Sequence, residues 1–125
     1  MSALSPKARI KSISHALAGL AALIRTQPNA RIHAAATVAV LGLGAFVKLA
    51  SWEWCSVILA IMLVWAAEAL NTGFEFVCDA VSKEFHPSIK LAKDIAAGGV
   101  LLAAIGAVFV GLIVFGPHLW LILVG

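Results

Sequence analysis

Apolar residues form three long runs along this chain, at about residues 32–50, 54–79 and 90–123. Each run is close to or longer than the roughly 20 residues that an α-helix needs to cross a bilayer. Trp52 and Trp54 lie between the first two runs and Trp120 lies near the end of the third, as is typical of aromatic residues at membrane interfaces. The pattern predicts three membrane-spanning helices.

A different pattern precedes them, at about residues 5–26. Its apolar positions recur with a helical period, and polar side chains lie between them; the apolar set is Ile10, Ile13, Leu17, Leu20 and Ile24. A cleavable signal peptide would be apolar all round. The periodicity instead predicts an amphipathic helix on the cytoplasmic membrane surface. Pro28 predicts a break before the first span.

The composition supports this membrane assignment. Of the 125 residues, 62% are hydrophobic and 12% are charged, whereas soluble domains are about half apolar and about a quarter charged. We therefore expect an all-α integral membrane protein. Residues 1–125 are expected to form a single domain, because the length leaves room for three spans and little else.

The basic residues predict the topology. They cluster before the first span and between the second and third spans. The loop between the first two spans has only Lys48, and the C-terminal tail has none. By the positive-inside rule, the N-terminus and second loop are cytoplasmic and the C-terminus is outside. The net charge of +3 thus belongs to one membrane face. It suits anionic lipids and anionic substrates, and no nucleic-acid partner is expected.

Four polar residues interrupt the second span, namely Glu68, Asn71, Glu75 and Asp79. At 100° per residue they fall within about 80° of one another and extend over about 16 Å. We call this row the polar stripe. An ionised carboxylate facing lipid costs several kcal/mol, so the stripe must face protein, water, a cation or a ligand. A homo-oligomer would bury it between subunits.

The residue chemistry leaves three interpretations of the polar stripe. It can join helices by hydrogen bonds in a purely structural subunit. It can relay protons or cations in a small transporter that uses Glu68 and Glu75. It can also hold a metal and a phosphate group. Lys93 and Asp94, at the start of the third span, favour the last, because phosphoryl transfer needs cations beside the phosphates.

Two motifs now resemble a known family. The pattern E-x-L-N-T-x-x-E-x-x-x-D at residues 68–79 and A-K-D-x-A-A-G at residues 92–98 resemble the prokaryotic diacylglycerol kinase / undecaprenol kinase family. The resemblance implies a homotrimer of three-span protomers in the bacterial plasma membrane. It also implies Mg²⁺- and ATP-dependent phosphorylation of a lipid hydroxyl at the cytoplasmic interface.

The resemblance also implies roles for single residues. Glu68 matches the catalytic base, and Glu75 matches a metal ligand that also lies against the nucleotide. The other positions expected to bind or support the nucleotide are His15, Asn71, Asp79, Glu84, His86, Lys93 and Asp94. His33 is interpreted as an interfacial histidine and His118 as a structural one.

One segment departs from the family pattern. TQPNARIH at residues 26–33 resembles S-E-R-N-x-[KR]-I-H, whose glutamate is a second metal ligand, but this chain has Gln27 there. A glutamine carbonyl can bind Mg²⁺ without supplying charge. Gln27 is therefore either a metal ligand that also lies near the nucleotide, or a polar residue closing a turn.

The lipid acceptor, diacylglycerol or undecaprenol, stays open. The segments TQPNARIH and HPSIKLAKD slightly favour the undecaprenol-type branch.

Overall fold

The computed structural model describes residue 2 and residues 4–125, and in this part of the chain the secondary structure is entirely helical. The described helices are α1 (Pro6–Thr26), α2 (Pro28–Val47), α3 (Ser51–Val81) and α4 (Pro87–Val124). The last three are long and apolar enough to cross a membrane. They contain the second and third apolar runs and the first as far as Val47, whereas residues 48–50 belong to the turn before α3. The prediction of an all-α chain with three candidate spans is confirmed.

A tight corner joins α1 to α2. Gln27 is extended (φ −114°, ψ 113°) and ends α1, as expected of a residue before proline, and Pro28 begins α2. Arg31 fastens the corner by donating from Nε and Nη2 to the Ile24 and Arg25 carbonyls at 3.0 and 2.6 Å. These carbonyls belong to the last turn of α1 and lack helical partners, so the arginine satisfies them.

The turn from α2 to α3 depends on close packing. Lys48 ends α2 in the left-handed conformation (φ 57°), and the Gly44 carbonyl accepts bonds from the Lys48 and Leu49 amides. Gly44 lies against the Trp54 ring, where an added Cβ would approach Cη2 to 2.8 Å. A glycine is thus required at Gly44, whereas a Cβ at Gly42 would meet nothing within 4 Å.

Helices α3 and α4 run antiparallel. Their near ends are joined by residues 82–86, and at the far end His118 Nε2 lies 3.0 Å from Glu53 Oε1. The apolar core lies near this far end; its buried members are Leu49, Val57, Val114 and Phe115. The other half of α3 carries its polar residues and contributes no member to this core cluster.

Much of the apolar surface is exposed on the single chain. The apolar stripe of α1 is included, with Ile10 69% and Ile24 42% exposed, so it does not pack on the other helices. Lipid or further copies of the chain would cover such a surface. The position of α1 on the membrane and the homotrimer stay predictions.

Candidate active site

The polar stripe lies on the half of α3 that approaches the start of α4. Glu68 is buried at 2% exposure, Asn71 and Glu75 are half-buried, and Asp79 is exposed. The stripe therefore runs from the interior of the bundle to its surface. Glu68 is buried within one protomer, so burial of this carboxylate does not require a second chain. The sequence had suggested that an oligomer would bury the whole stripe between subunits.

The carboxylate of Glu68 faces α2. Its Oε2 lies 3.7 Å from Nε2 of His33, which is within ion-pair distance but longer than a hydrogen bond. No hydrogen-bond partner for this oxygen is found in the described part of the chain. The sequence predicted an interfacial role for His33. That interpretation is incomplete, because the ring also lies against Glu68 of the polar stripe.

The next turn of α3 carries two more buried oxygens without partners among residues 2 and 4–125, Asn71 Oδ1 and Thr72 Oγ1. The Asn71 amide group points the other way and donates from Nδ2 to Glu75 Oε1 at 3.4 Å. Buried acceptors without donors are costly in a finished core. Their concentration beside Glu68 and Glu75 is characteristic of a site that a ligand completes.

Helix α4 contributes a cation to the outer end of the polar stripe. Lys93 Nζ donates to Asp79 Oδ1 at 2.7 Å, which connects α4 to α3 across the turn. The neighbouring Asp94 instead accepts from Lys90 Nζ at 2.6 Å, one helical turn earlier on α4. The expected proximity of Lys93 to Asp79 is therefore present, while Asp94 lies in a separate pair.

The segment between α3 and α4 forms a cleft of about 730 Å³ beside this ion pair. Its lining includes four of the predicted nucleotide-binding residues, Asp79, Glu84, His86 and Lys93. His86 also caps α4, because its Nδ1 accepts from the Ser88 amide at 3.2 Å. Three lysines and two carboxylates line this open cleft among apolar side chains, so it can offer cations to an anionic, flexible ligand such as a polyphosphate.

Helix α1 approaches the same half of α3. A second cleft, of about 390 Å³, lies between residues 16–23 of α1 and residues 69–76 of α3. Gly19 is part of its lining, and Thr72 lies on the opposite wall. His15 is exposed and lies one turn before Gly19 on α1. The structure gives it no contact with the stripe.

Gln27 lies at the α1–α2 corner, half-buried, with Nε2 3.5 Å from Thr26 Oγ1. In the part of the chain that is described, no three His, Cys, Asp or Glu side chains converge as a metal cage. Mg²⁺ usually binds one or two carboxylates together with substrate phosphates and water. The half-buried Glu75 carboxylate beside the unpartnered Asn71 oxygen fits such a shared site.

Sequence reasoning thus located the stripe and the Lys93–Asp79 approach but missed two neighbours of Glu68. His33 lies on α2, and the packing of α2 against α3 brings its ring to Glu68. Thr72 is adjacent to Asn71 but off the stripe, and its 4% exposure depends on α1. For His33, the sequence did carry a signal, namely a histidine inside an apolar run. Ionisable residues are uncommon in membrane spans unless they have a polar partner.

Comparison with known proteins gives a family match over most of the chain. The family model described as prokaryotic diacylglycerol kinase matches residues 14–115. This range includes the α1–α2 corner, the whole of α3 and the cleft before α4. The match therefore covers every element that forms the site.

Individual relatives agree with the family match. An undecaprenol kinase of Bacillus subtilis is 40% identical over 109 residues, which is 87% of this chain and 89% of that protein. A diacylglycerol kinase of Synechocystis is 43% identical over 101 residues, covering 80% of this chain but 58% of that protein. A diacylglycerol kinase of Escherichia coli is 38% identical over 61 residues, about half of each chain (49% and 50%).

Proposed function

The chain belongs to the prokaryotic diacylglycerol kinase family and is a lipid kinase; from this premise we propose that it transfers the γ-phosphoryl group of ATP to the hydroxyl of a membrane lipid alcohol. One observation carries the proposal. A single row of residues on α3 connects a buried carboxylate, Glu68, to a surface ion pair, Asp79–Lys93, beside an open cleft. An apolar alcohol and a water-soluble nucleotide can meet along such a row.

Glu68 is the proposed catalytic base. Its carboxylate lies about 16 Å along α3 from Asp79, at the depth that a lipid hydroxyl reaches from the bilayer. As the hydroxyl oxygen forms a bond to the γ-phosphorus, the bond from that phosphorus to the ADP oxygen breaks and Glu68 takes the hydroxyl proton. Burial excludes water, which would otherwise compete for the phosphoryl group.

The nucleotide is proposed to occupy the cleft before α4. Lys93 would leave or share its pair with Asp79 and meet the phosphates, because phosphoryl transfer depends on cations at the developing charge. Glu84 and His86 line the cleft and are proposed to contact the nucleotide. Asp94 would act there through its pair with Lys90. For His15 on α1, we propose a contact with the adenine.

Mg²⁺ is proposed to bind with the nucleotide at Glu75, and Gln27 is a candidate second ligand. When bound, the ion neutralises phosphate charge. Asn71 donates to Glu75 at 3.4 Å and so orients this carboxylate. One carboxylate and one amide carbonyl leave most of the coordination to phosphate oxygens and water, as is usual for Mg²⁺.

The proposed setting is the bacterial plasma membrane. Helices α2, α3 and α4 would cross it, with α1 on the cytoplasmic surface beside the nucleotide cleft and the C-terminus outside. This topology places Lys93 and the cleft where ATP is available. We also propose a homotrimer of 125-residue, single-domain protomers, since the exposed apolar surface leaves room for contacts between copies.

The proposed acceptor is a primary alcohol on a long apolar tail, and undecaprenol is the first choice over diacylglycerol. The support is that the similarity to the Bacillus protein extends over 89% of that protein, against 58% for the Synechocystis one. A small ion-coupled transporter is not favoured, because the named relatives are lipid kinases.

The test is a phosphorylation assay of purified protein in lipid–detergent micelles with Mg²⁺ and γ-labelled ATP. Undecaprenol and diacylglycerol are offered in turn, and triacylglycerol, which has no hydroxyl, is the matched control. The proposal predicts labelled lipid monophosphate with at least one alcohol and none with triacylglycerol. A folded protein that labels neither alcohol would overturn it, whereas labelling of diacylglycerol alone would overturn only the choice of acceptor.

A further inference from the structure

His33 and Glu68 form a contact that the proposed mechanism does not use. The imidazole Nε2 and the carboxylate Oε2 are 3.7 Å apart, and the Glu68 side chain is 3% exposed against 21% for His33. That Oε2 has no hydrogen-bond partner in the described chain. A small side-chain rotation would bring the two atoms to hydrogen-bond distance, where a protonated Glu68 carboxyl could donate to Nε2.

The His33 ring is held in place from the other side. The Trp65 ring meets it edge to face, with centroids 6.4 Å apart at 64°. Trp65 Nε1 donates to Thr37 Oγ1 at 3.0 Å, and Thr37 Oγ1 donates to the His33 carbonyl at 2.7 Å. These contacts join α2 to α3, so they fix the backbone and the ring of His33 relative to Glu68.

Few other charges face this pair. From α4, the side chains that line the cleft beside His33 are apolar, including Ala97, Val100 and Ala104. On α2 itself, Arg31 is directed away and donates to carbonyls of α1. Among the described residues that border His33, Glu68 of α3 is thus the ionisable group within ion-pair distance of the imidazole.

We propose that His33 is a positioning residue for Glu68: its neutral ring presents an unprotonated Nε2, which accepts from the Glu68 carboxyl the proton released by the lipid hydroxyl. This inference rests on the proposed function. The proton passes from the hydroxyl to Glu68 as the oxygen–phosphorus bond forms and the bond to ADP breaks. It then passes to the free lone pair on Nε2 of neutral His33, which restores the carboxylate. The partly exposed imidazolium finally loses a proton to water.

A merely structural histidine would behave differently. If the ring only packed against Trp65, His33→Phe would retain activity, since phenylalanine supplies a ring of similar size. His33→Gln can donate to Glu68 but cannot accept its proton. We therefore expect both variants to lower kcat, His33→Gln by about 10-fold or more, with the KM for ATP unchanged.

The pH profile is the discriminating readout. The relay requires an unprotonated Nε2, so the wild-type kcat should be lower at acidic than at neutral pH, and His33→Gln should lack that difference. In His33→Ala, added imidazole should restore part of the activity. His118→Gln is the matched control, because it removes a histidine that contacts another buried glutamate, Glu53, outside the polar stripe. It should keep the wild-type profile.

The inference is overturned if His33→Gln keeps the wild-type kcat and pH profile, or if His33→Phe is fully active. A second measurement covers variants that do not fold. In protein labelled with ¹⁵N-histidine, the side-chain signal of His33 should shift between wild type and Glu68→Gln, and an unchanged signal would also overturn it. Absence of any lipid phosphate from wild type would instead overturn the proposed function, and the ¹⁵N signal would still test the contact.

Discussion

Lys93 on α4 and Asp79 on α3 form an ion pair of 2.7 Å across the connection between the two helices. Their side chains are 36% and 64% exposed. Exposed pairs contribute only about 0–1 kcal/mol to stability, so this one has little structural value. Its position beside the cleft is consistent with the proposal that Lys93 binds phosphate groups and is paired with Asp79 in their absence.

Replacing this lysine should damage nucleotide use more than stability. We expect Lys93→Gln to raise the KM for Mg-ATP by about 10-fold or more, because a cation at the phosphates is lost, with the melting temperature nearly unchanged. Steady-state kinetics and thermal unfolding in detergent measure the two effects. Lys48→Gln is the control, because Lys48 lies at the C-terminal end of α2 and does not line the cleft. Recovery of activity in the swapped pair Asp79→Lys with Lys93→Asp would contradict this explanation.

The corner residue Gln27 gives a test of metal binding. Gln27→Glu should lower the Mg²⁺ concentration that gives half-maximal activity several-fold, since a carboxylate adds charge to a hard-cation ligand set. Activity measured over a Mg²⁺ titration at fixed ATP provides the value. Asn29→Asp adds the same charge two residues away and should change it much less. Equal effects of the two substitutions, or no effect of Gln27→Glu, would count against Gln27 as a ligand.

The contact between Gly44 and Trp54 predicts a stability difference between neighbouring glycines. Gly44→Ala should destabilise the protein by about 1–3 kcal/mol, because its Cβ would approach the rigid indole to 2.8 Å. Gly42→Ala has open space and should be neutral or stabilising by up to about 1 kcal/mol through helix propensity. Thermal unfolding of both in the same detergent measures the difference. Equal melting temperatures would contradict the packing of this turn.

Glu53 connects the start of α3 to the end of α4. It accepts from the Ala50 amide at 2.8 Å and contacts His118 Nε2 at 3.0 Å. Glu53→Ala should therefore lower stability by about 1–3 kcal/mol, since both groups lose their partner. Turnover per folded molecule should stay unchanged, because Glu68 lies about 22 Å away along α3. Ser51→Ala is the control; an equal loss in it would contradict the assignment.

The sequence was sufficient for the elements and for the stripe itself. Three apolar runs and one amphipathic period predicted four helices, because membrane spans leave the clearest pattern that a sequence can carry. The helical repeat placed Glu68, Asn71, Glu75 and Asp79 on one face without any tertiary information. Pro28 predicted the break before the first span for a similarly local reason.

Contacts between helices were beyond the sequence. The approach of His33 to Glu68 depends on how α2 tilts over α3, and the approach of Gly44 to Trp54 depends on a left-handed Lys48. Periodicity reports which face of a helix is polar but not which residue of another helix meets it. The pairing of Asp94 with Lys90 lies within α4 and was missed, although the i,i+4 spacing of the two residues favours such a pair.

The central claim is that Glu68 serves the acceptor while the rest of the polar stripe serves the nucleotide. Glu68→Gln preserves the size and packing of the side chain but removes the proton acceptor. This one variant should therefore lose lipid phosphorylation while it keeps nucleotide binding. Calorimetric titration with Mg-ATP should give a Kd close to that of wild type. Lipid phosphate formation should fall by about 100-fold or more. A Glu68→Gln protein that phosphorylates lipid at the wild-type rate would contradict the claim.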